Sequence, residues 1–306
     1  MSAEMTRTGQ ASHWRDLYPF ASHYFLQTDS VKQHYVDENQ AGEESFLFVH
    51  GNPTWSFYWR NLILGLRDQG RCVAVDHVGC GLSDKPQSYP YTLDQHIANL
   101  GRLVTELDLK KITLVAHDWG GAIGLGTLLN LRDRFQRIVL MNTGAFPPPY
   151  IPWRIRAGRI PWLGTIAIRG FNGFAGAAVS MATSLPQGLD PLVRQGLLAP
   201  YHDWETRIAT DQFVKDIPTS RRQPTFQRLQ TIEAECKKLT SMPVQLIWGM
   251  QDWCFRPDCL HRFERIFPQA RTHQIPAANH YVVEDAPQEV LATIQEFCHQ
   301  SSVVAS

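Results

Sequence analysis

Val115-Ala116-His117-Asp118-Trp119-Gly120-Gly121-Ala122 decides how this chain folds. The run that leads into it, Lys111 to His117 (KITLVAH), is short, β-branched and apolar, as a strand buried on both faces is. The run that follows, Gly121-Ala122-Ile123-Gly124, consists of small and apolar helix residues. A strand that turns directly into a helix, with one residue displayed at the bend, is the setting of a nucleophile elbow. The displayed residue is held in a strained conformation, so its neighbours must be small, and Ala116 and Gly120 meet that need. The displayed residue here is Asp118. A carboxylate attacks an sp³ carbon directly, with no base needed to take a proton first. It expels a leaving group and becomes an alkyl ester, and a base is needed only when water later attacks that ester. An aspartate after a strand can also simply cap a helix, so the rest of the chain must decide.

Five further runs repeat the rhythm. Glu44 to His50 precedes His50-Gly51-Asn52-Pro53, Arg71 to Asp76 precedes the Gly79/Gly81 turn, and Arg137 to Asn142 precedes Gly144. Pro243 to Trp248 precedes Gly249, and Arg271 to Ile275 precedes Pro276 and His280. Helical stretches such as Leu93 to Leu107 fill the gaps, which predicts βαβ units and a mostly parallel sheet. The rhythm fails between residues 145 and 225, where Pro147-Pro148-Pro149, Trp153, Trp162, Trp204 and Gly/Ala-rich segments occur. The expected organisation is a core over 1–144, an inserted helical cap over 145–225, and the rest of the core over 226–306.

His280 follows the last predicted strand in Ala277-Ala278-Asn279-His280-Tyr281, and Asp252 follows the one before it in Trp248-Gly249-Met250-Gln251-Asp252. Nucleophile, acid, base is the chain order of an α/β-hydrolase triad. Asp252 would fix the imidazole tautomer and stabilise its cation. An acid at the end of the strand before the cap is the alternative placement, but Asn142 stands there and does not ionise. Asp258 and Glu284 lie close by in sequence and are expected at the surface. The backbone N–H groups of Asn52 and Trp119 suit an oxyanion hole. Their side chains are N–H donors too, and together could receive a departing anion at roughly 1.5–3 kcal/mol per charged hydrogen bond.

The composition narrows the class. Lys plus Arg and Asp plus Glu are 29 each, so no net field favours nucleic acid. With a pI near 7.2, self-repulsion is small and a homo-oligomer is permitted. The six cysteines are scattered and none forms a C-x-x-C pair, which favours reduced thiols over disulfides or zinc. The first twenty residues contain no continuous apolar run, which points to the cytoplasm, and residues 160–185 are too interrupted to span a membrane.

His50-Gly51-Asn52-Pro53-Thr54-Trp55-Ser56, Gly79-Cys80-Gly81-Leu82-Ser83-Asp84 and Val115 to Gly121 resemble haloalkane dehalogenases over nearly the whole chain, most weakly in the cap. The resemblance implies an α/β-hydrolase fold: a mostly parallel eight-stranded sheet flanked by helices, with an inserted helical cap. It implies a catalytic Asp118, His280 and Asp252, a halide-binding Asn52 and Trp119, and neither cofactor nor metal. The reaction implied is hydrolysis of a small apolar haloalkane to alcohol and halide. The chain is also similar to the β-lactone decarboxylases of long-chain olefin synthesis, including the Asn52-Pro53-Thr54-Trp55-Ser56-Phe57 run. The residues fit both chemistries, because an anion site for halide serves a lactone carboxylate equally well. Epoxide hydrolases share the elbow and need acidic cap tyrosines, for which Tyr150 and Tyr201 are the candidates. An arginine after the nucleophile would mark a fluoroacetate-type dehalogenase, and Trp119 stands there instead. Asp118 excludes a serine esterase, and the intact triad argues against a binding-only fold.

Overall fold

The computed structural model describes residues 13–28 and 30–303. Residues 1–12, on which much of the reading of the N-terminus rests, lie outside them. The eight strands are β1 (His23–Thr28), β2 (Val31–Glu38), β3 (Ser45–Val49), β4 (Arg71–Val75), β5 (Ile112–Asp118), β6 (Phe135–Thr143), β7 (Val244–Gly249) and β8 (Arg271–Ile275). They form one sheet in the order β1-β2-β4-β3-β5-β6-β7-β8. β1 and β2 run antiparallel at one edge, and all pairings from β4 through β8 are parallel. The sequence rhythm predicts six of these strands. It misses β1 and β2, whose buried positions are partly polar. Gln33 and His34 are buried in β2, and Asp76 satisfies both, through its carbonyl and its carboxylate (His34 Nδ1 to Oδ2, 2.8 Å).

Apolar side chains cover both faces of the parallel strands. The first helices are α1 (Arg60–Leu66), α2 (Leu93–Glu106) and α3 (Trp119–Asn130). Between β6 and β7 every described element is helical: α4 (Trp153–Gly158), α5 (Leu163–Thr165) with a π turn at Ile166–Gly170, α6 (Ala175–Met181), α7 (Pro191–Leu198), a 3₁₀ turn at Glu205–Arg207, α8 (Ile208–Asp216) and α9 (Pro224–Cys236). α10 (Pro257–Ile266), α11 (Val282–Asp285) and α12 (Pro287–Val303) follow. Ile97 of α2, Ile123 of α3, Ile232 of α9 and Phe263 of α10 pack one side, and Leu62 of α1 and Ile294 of α12 pack the other. Among the described residues, no helix is long and apolar enough to cross a membrane.

Glu284 corrects one expectation. It is buried, not at the surface, and takes both guanidinium nitrogens of Arg60 at 2.6 and 2.8 Å. A charge that deep is tolerated only when it is paired and hydrogen-bonded. The pair clamps α1 to α11, the short helix directly after His280. Asp258, by contrast, is exposed as expected.

Candidate active site

β5 delivers Asp118 at the C-terminal edge of the sheet, with φ 53° and ψ −128°. A side chain held there costs about 1–3 kcal/mol, and such strain persists only where the surroundings impose it. Gly120 lies so close to the carbonyls of Val49 and His50 that a Cβ there would collide with them, and a Cβ at Gly51 would strike the Asp118 carboxylate. Thr143 of β6 donates its hydroxyl to the Asp118 carbonyl and ties the bend to the neighbouring strand. The elbow is therefore locked from three sides.

The carboxylate has two differently held oxygens. Oδ1 accepts the backbone N–H of Asn52 at 2.6 Å, while Oδ2 faces His280 Nε2 at 3.9 Å. Burial pushes the Asp118 carboxyl above the usual aspartate range, against the opposing pull of His280 and the backbone N–H groups of Trp119 and Asn52. Burial alone would lower His280, but the Asp252 carboxylate at Nδ1 (2.8 Å) and the charge of Asp118 outweigh it, so the imidazole sits above its ordinary value.

Asp252 is fixed on both oxygens. Oδ1 accepts the N–H of Cys254 at 2.6 Å, and Oδ2 accepts His280 together with the side-chain amide of Asn142 at 3.0 Å. The sequence eliminates Asn142 as the acid. The structure adds that its amide holds Asp252, and that it also bridges to the backbone of Gly249 through both its nitrogen and its oxygen. Removing such a hydrogen bond to a charged group costs about 1.5–3 kcal/mol. Asn142→Ala is thus expected to slow any step that uses the His280–Asp252 pair by roughly 10- to 100-fold. Measured on a soluble substrate, kcat should fall while KM holds, and an unchanged kcat would remove Asn142 from the positioning of Asp252.

A row of buried imidazoles backs the site, which nothing in the sequence flags. His117 Nε2 donates to the His280 carbonyl at 2.8 Å, and its ring lies 4.5 Å from that of His280. His50, His77, His96 and His117 are all held below the ordinary histidine value, foremost by burial, His96 to about 3. Burial thus disfavours the charged form of each.

Asp118, His280, Asn52 and Trp119 open onto one apolar chamber, walled among others by Phe146, Ile151, Ile155 and Phe174. Of the residues lining it, Asp118 and His280 are both held above their ordinary values. Tyr150 is pushed up foremost by burial, and so are Cys254 and Cys259, the latter to about 12. Trp119 packs on Phe213, at 5.5 Å between ring centroids. One amide hydrogen of Asn52 is already taken by the Thr210 carbonyl at 3.1 Å, so at most its other N–H is left for a ligand. The epoxide candidates do not fit their role. Tyr150 donates to the carbonyls of Trp253 and Cys254, and Tyr201 is buried outside the chamber lining with its hydroxyl toward the Thr54 carbonyl. Among the described residues the six cysteines are not paired with one another in disulfides. Among the described residues, no group of three or more His, Cys, Asp or Glu is arranged to hold a metal.

A family described as alpha/beta hydrolase fold matches residues 44–287. The chain belongs to the α/β-hydrolase family. Within that family it is 39% identical to a cis-3-alkyl-4-alkyloxetan-2-one decarboxylase of Shewanella oneidensis, over 95% of this chain and 92% of the relative. A decarboxylase of the same name from Xanthomonas campestris is 37% identical over 89% of this hydrolase and 93% of the relative. Haloalkane dehalogenase 2 of Mycobacterium bovis is 33% identical, over 92% and 96%. Of the solved structures, haloalkane dehalogenase DbeA from Bradyrhizobium elkani superposes with a TM-score of 0.84 at 23% identity, covering 93% of this hydrolase and 99% of that chain. The tetrameric dehalogenase DpaA from Paraglaciecola agarilytica gives 0.75 at 26%, covering 90% and 92%.

Proposed function

We propose that this hydrolase acts as a β-lactone decarboxylase, converting a cis-3,4-dialkyl-oxetan-2-one to a cis-alkene and carbon dioxide, with residues 145–225 as the cap over its chamber. The observation that carries the reading is an apolar chamber in which Asp118, among the described residues the one acidic side chain of the lining, is fixed at Oδ1 by the Asn52 N–H and faces His280 through Oδ2. Such a site suits substitution at carbon with an anionic leaving group. The decarboxylases at 39% and 37% identity favour the lactone over a carbon–halogen bond.

The chemistry closes without a proton or an oxidant. Oδ2 of Asp118 attacks the sp³ ring carbon C4 from the rear, the C4–O bond breaks, and the ring oxygen leaves as a carboxylate. The remaining side-chain N–H of Asn52 and the indole N–H of Trp119 receive that charge, the backbone N–H of Asn52 being held by Asp118 Oδ1. The ring holds the C4–O and C3–C2 bonds on one side, so rear attack places the new ester bond opposite C3–C2. The carboxylate then departs as carbon dioxide, the C3–C2 electrons form the C3=C4 bond, and Asp118 is expelled unchanged. Opposed bonds preserve the cis geometry. A dry chamber assists, because charge that spreads on leaving the carboxylate is poorly solvated there at the start. His280, held by Asp252, balances the charge of Asp118.

Haloalkane dehalogenation is the second reading, favoured by Trp119 beside the nucleophile and by the relative at 33% identity. It shares the first step and differs afterwards, when His280 activates water against the Asp118 ester. The deciding assay offers the purified protein a long-chain cis-β-lactone and, in parallel, 1-bromobutane and 1-iodohexane. Cis-alkene with carbon dioxide from the lactone is the expected result. Sustained halide release with no alkene would replace the proposal by the second reading.

A further inference from the structure

The outer face of the cap is unlike the rest of the surface. Among the described residues, six of the ten large hydrophobic side chains that are exposed fall within 153–171: Trp153, Ile160, Trp162, Leu163, Ile166 and Phe171. They lie within nineteen consecutive residues, and α4 and α5 touch where Gly164 sits against the Gly158 carbonyl. Trp162 and Phe171 are 84% and 81% exposed. Trp162 stands at the centre of a γ-turn, φ 63° and ψ −54°, closed by Leu163 N–H on the Pro161 carbonyl at 2.7 Å. That turn is the rare, strained form. Here a strained backbone projects an indole outward instead of burying it.

The stretch that carries the patch is basic in sequence, and acids reach it only from the neighbouring turn, where Asp203 and Glu205 flank the Trp204 that packs on Arg169. No aspartate or glutamate occurs between Asp133 and Asp190, while Arg154, Arg156, Arg159 and Arg169 lie within 150–174. Arg159 and Arg169 are anchored inward, on the carbonyls of Val214 and Lys215 and of Trp204. Arg154 and Arg156 are exposed and make no ion pair among the described residues. Exposed tryptophan and phenylalanine beside two exposed arginines suit the boundary of an anionic bilayer, where rings enter the headgroup layer and guanidinium groups meet phosphate.

We propose that residues 153–171 dock this protein onto an anionic lipid surface. The same segments face the chamber on their inner side through Ile155 and Phe174, so an apolar substrate dissolved in lipid would meet the cap first. The docking rests on the outer face alone and does not depend on which bond Asp118 attacks.

The test is flotation of the full chain with vesicles of phosphatidylcholine, with and without phosphatidylglycerol, at low and high salt. The protein should float with the phosphatidylglycerol vesicles, and less so at high salt. Arg154→Gln and Arg156→Gln should each lower the partition about fivefold. Trp162→Gly combined with Phe171→Ser should lower it about tenfold or more. Glycine accepts the turn at 162, so the melting temperature of the double variant should match wild type and exclude misfolding as the cause. Failure of wild type to float with either vesicle, or flotation of the double variant like wild type, would overturn the proposal. So would light scattering that shows the double variant breaking a wild-type dimer, because the patch would then be covered by a second copy.

Discussion

Asp118→Ala is expected to abolish alkene release from a cis-β-lactone, on the order of 10⁴-fold or more, because no other group can open the ring. The other groups of the lining that could become anionic nucleophiles, Tyr150, Cys254 and Cys259, are pushed up by burial, which disfavours their anions. Alanine inherits the strained backbone at φ 53°, whereas glycine is at ease there. Asp118→Gly should therefore be just as inactive and melt higher than Asp118→Ala. Gas chromatography of the alkene and calorimetry of the two variants check this. Alkene released at a wild-type rate by either folded variant would remove Asp118 from the chemistry.

His280→Ala divides the two chemistries. With a haloalkane, the variant should release about one equivalent of halide and stop, leaving an alkyl ester on Asp118 and turnover lower by about 10²–10⁴-fold. With the lactone, carbon dioxide carries the reaction past the ester, and alkene release should slow by less than about tenfold, a loss of charge balance and not of a base. Mass spectrometry of the trapped protein and gas chromatography of the product read the two outcomes. Acidification gives the same division in the wild type. A base must be neutral, and His280 sits above the ordinary histidine value, so ester hydrolysis should fail as pH drops through a midpoint higher than that of a free histidine. Alkene release needs only an ionised Asp118, so it should persist through that range. It should decline further down, at a midpoint above that of a free aspartate because burial raises the carboxyl. An alkene yield that follows the histidine limb would show that His280 acts as a base in this reaction.

The sequence makes legible what is dictated locally. β3 to β7 are continuous apolar runs because helices cover both faces, and that pattern survives without tertiary knowledge. The candidate triad is readable from the order of Asp118, Asp252 and His280 and from the turn after each strand. What stays hidden depends on partners far away in the chain. β2 buries Gln33, His34 and Asp37, acceptable only because Asp76 and Arg71 answer them. Glu284 reads as a surface residue until Arg60 is brought to it across 224 positions. Asn142 reads as an excluded acid and becomes a donor to Asp252 only once β6 and β7 are paired. The proposed cap is the least legible of all. Its Gly/Ala-rich helices show no dominant apolar stripe, so nothing in the order of residues says that Phe174 turns inward while Trp162 and Phe171 turn outward.

The unequal anchoring of the Asp118 oxygens would turn the proposed nucleophile into an isotopic record of what the protein has done. Oδ1 is pinned by the Asn52 N–H at 2.6 Å, which opposes rotation of the carboxylate, and only Oδ2 is free to join a substrate carbon. If water completes the cycle, the original Oδ2 leaves in the alcohol and one oxygen from solvent takes its place. Turnover in heavy-oxygen water then stamps Asp118 with a single label that further cycles do not double. If carbon dioxide completes it, Oδ2 returns to the aspartate each time, and the enzyme emerges from any number of turnovers isotopically unmarked.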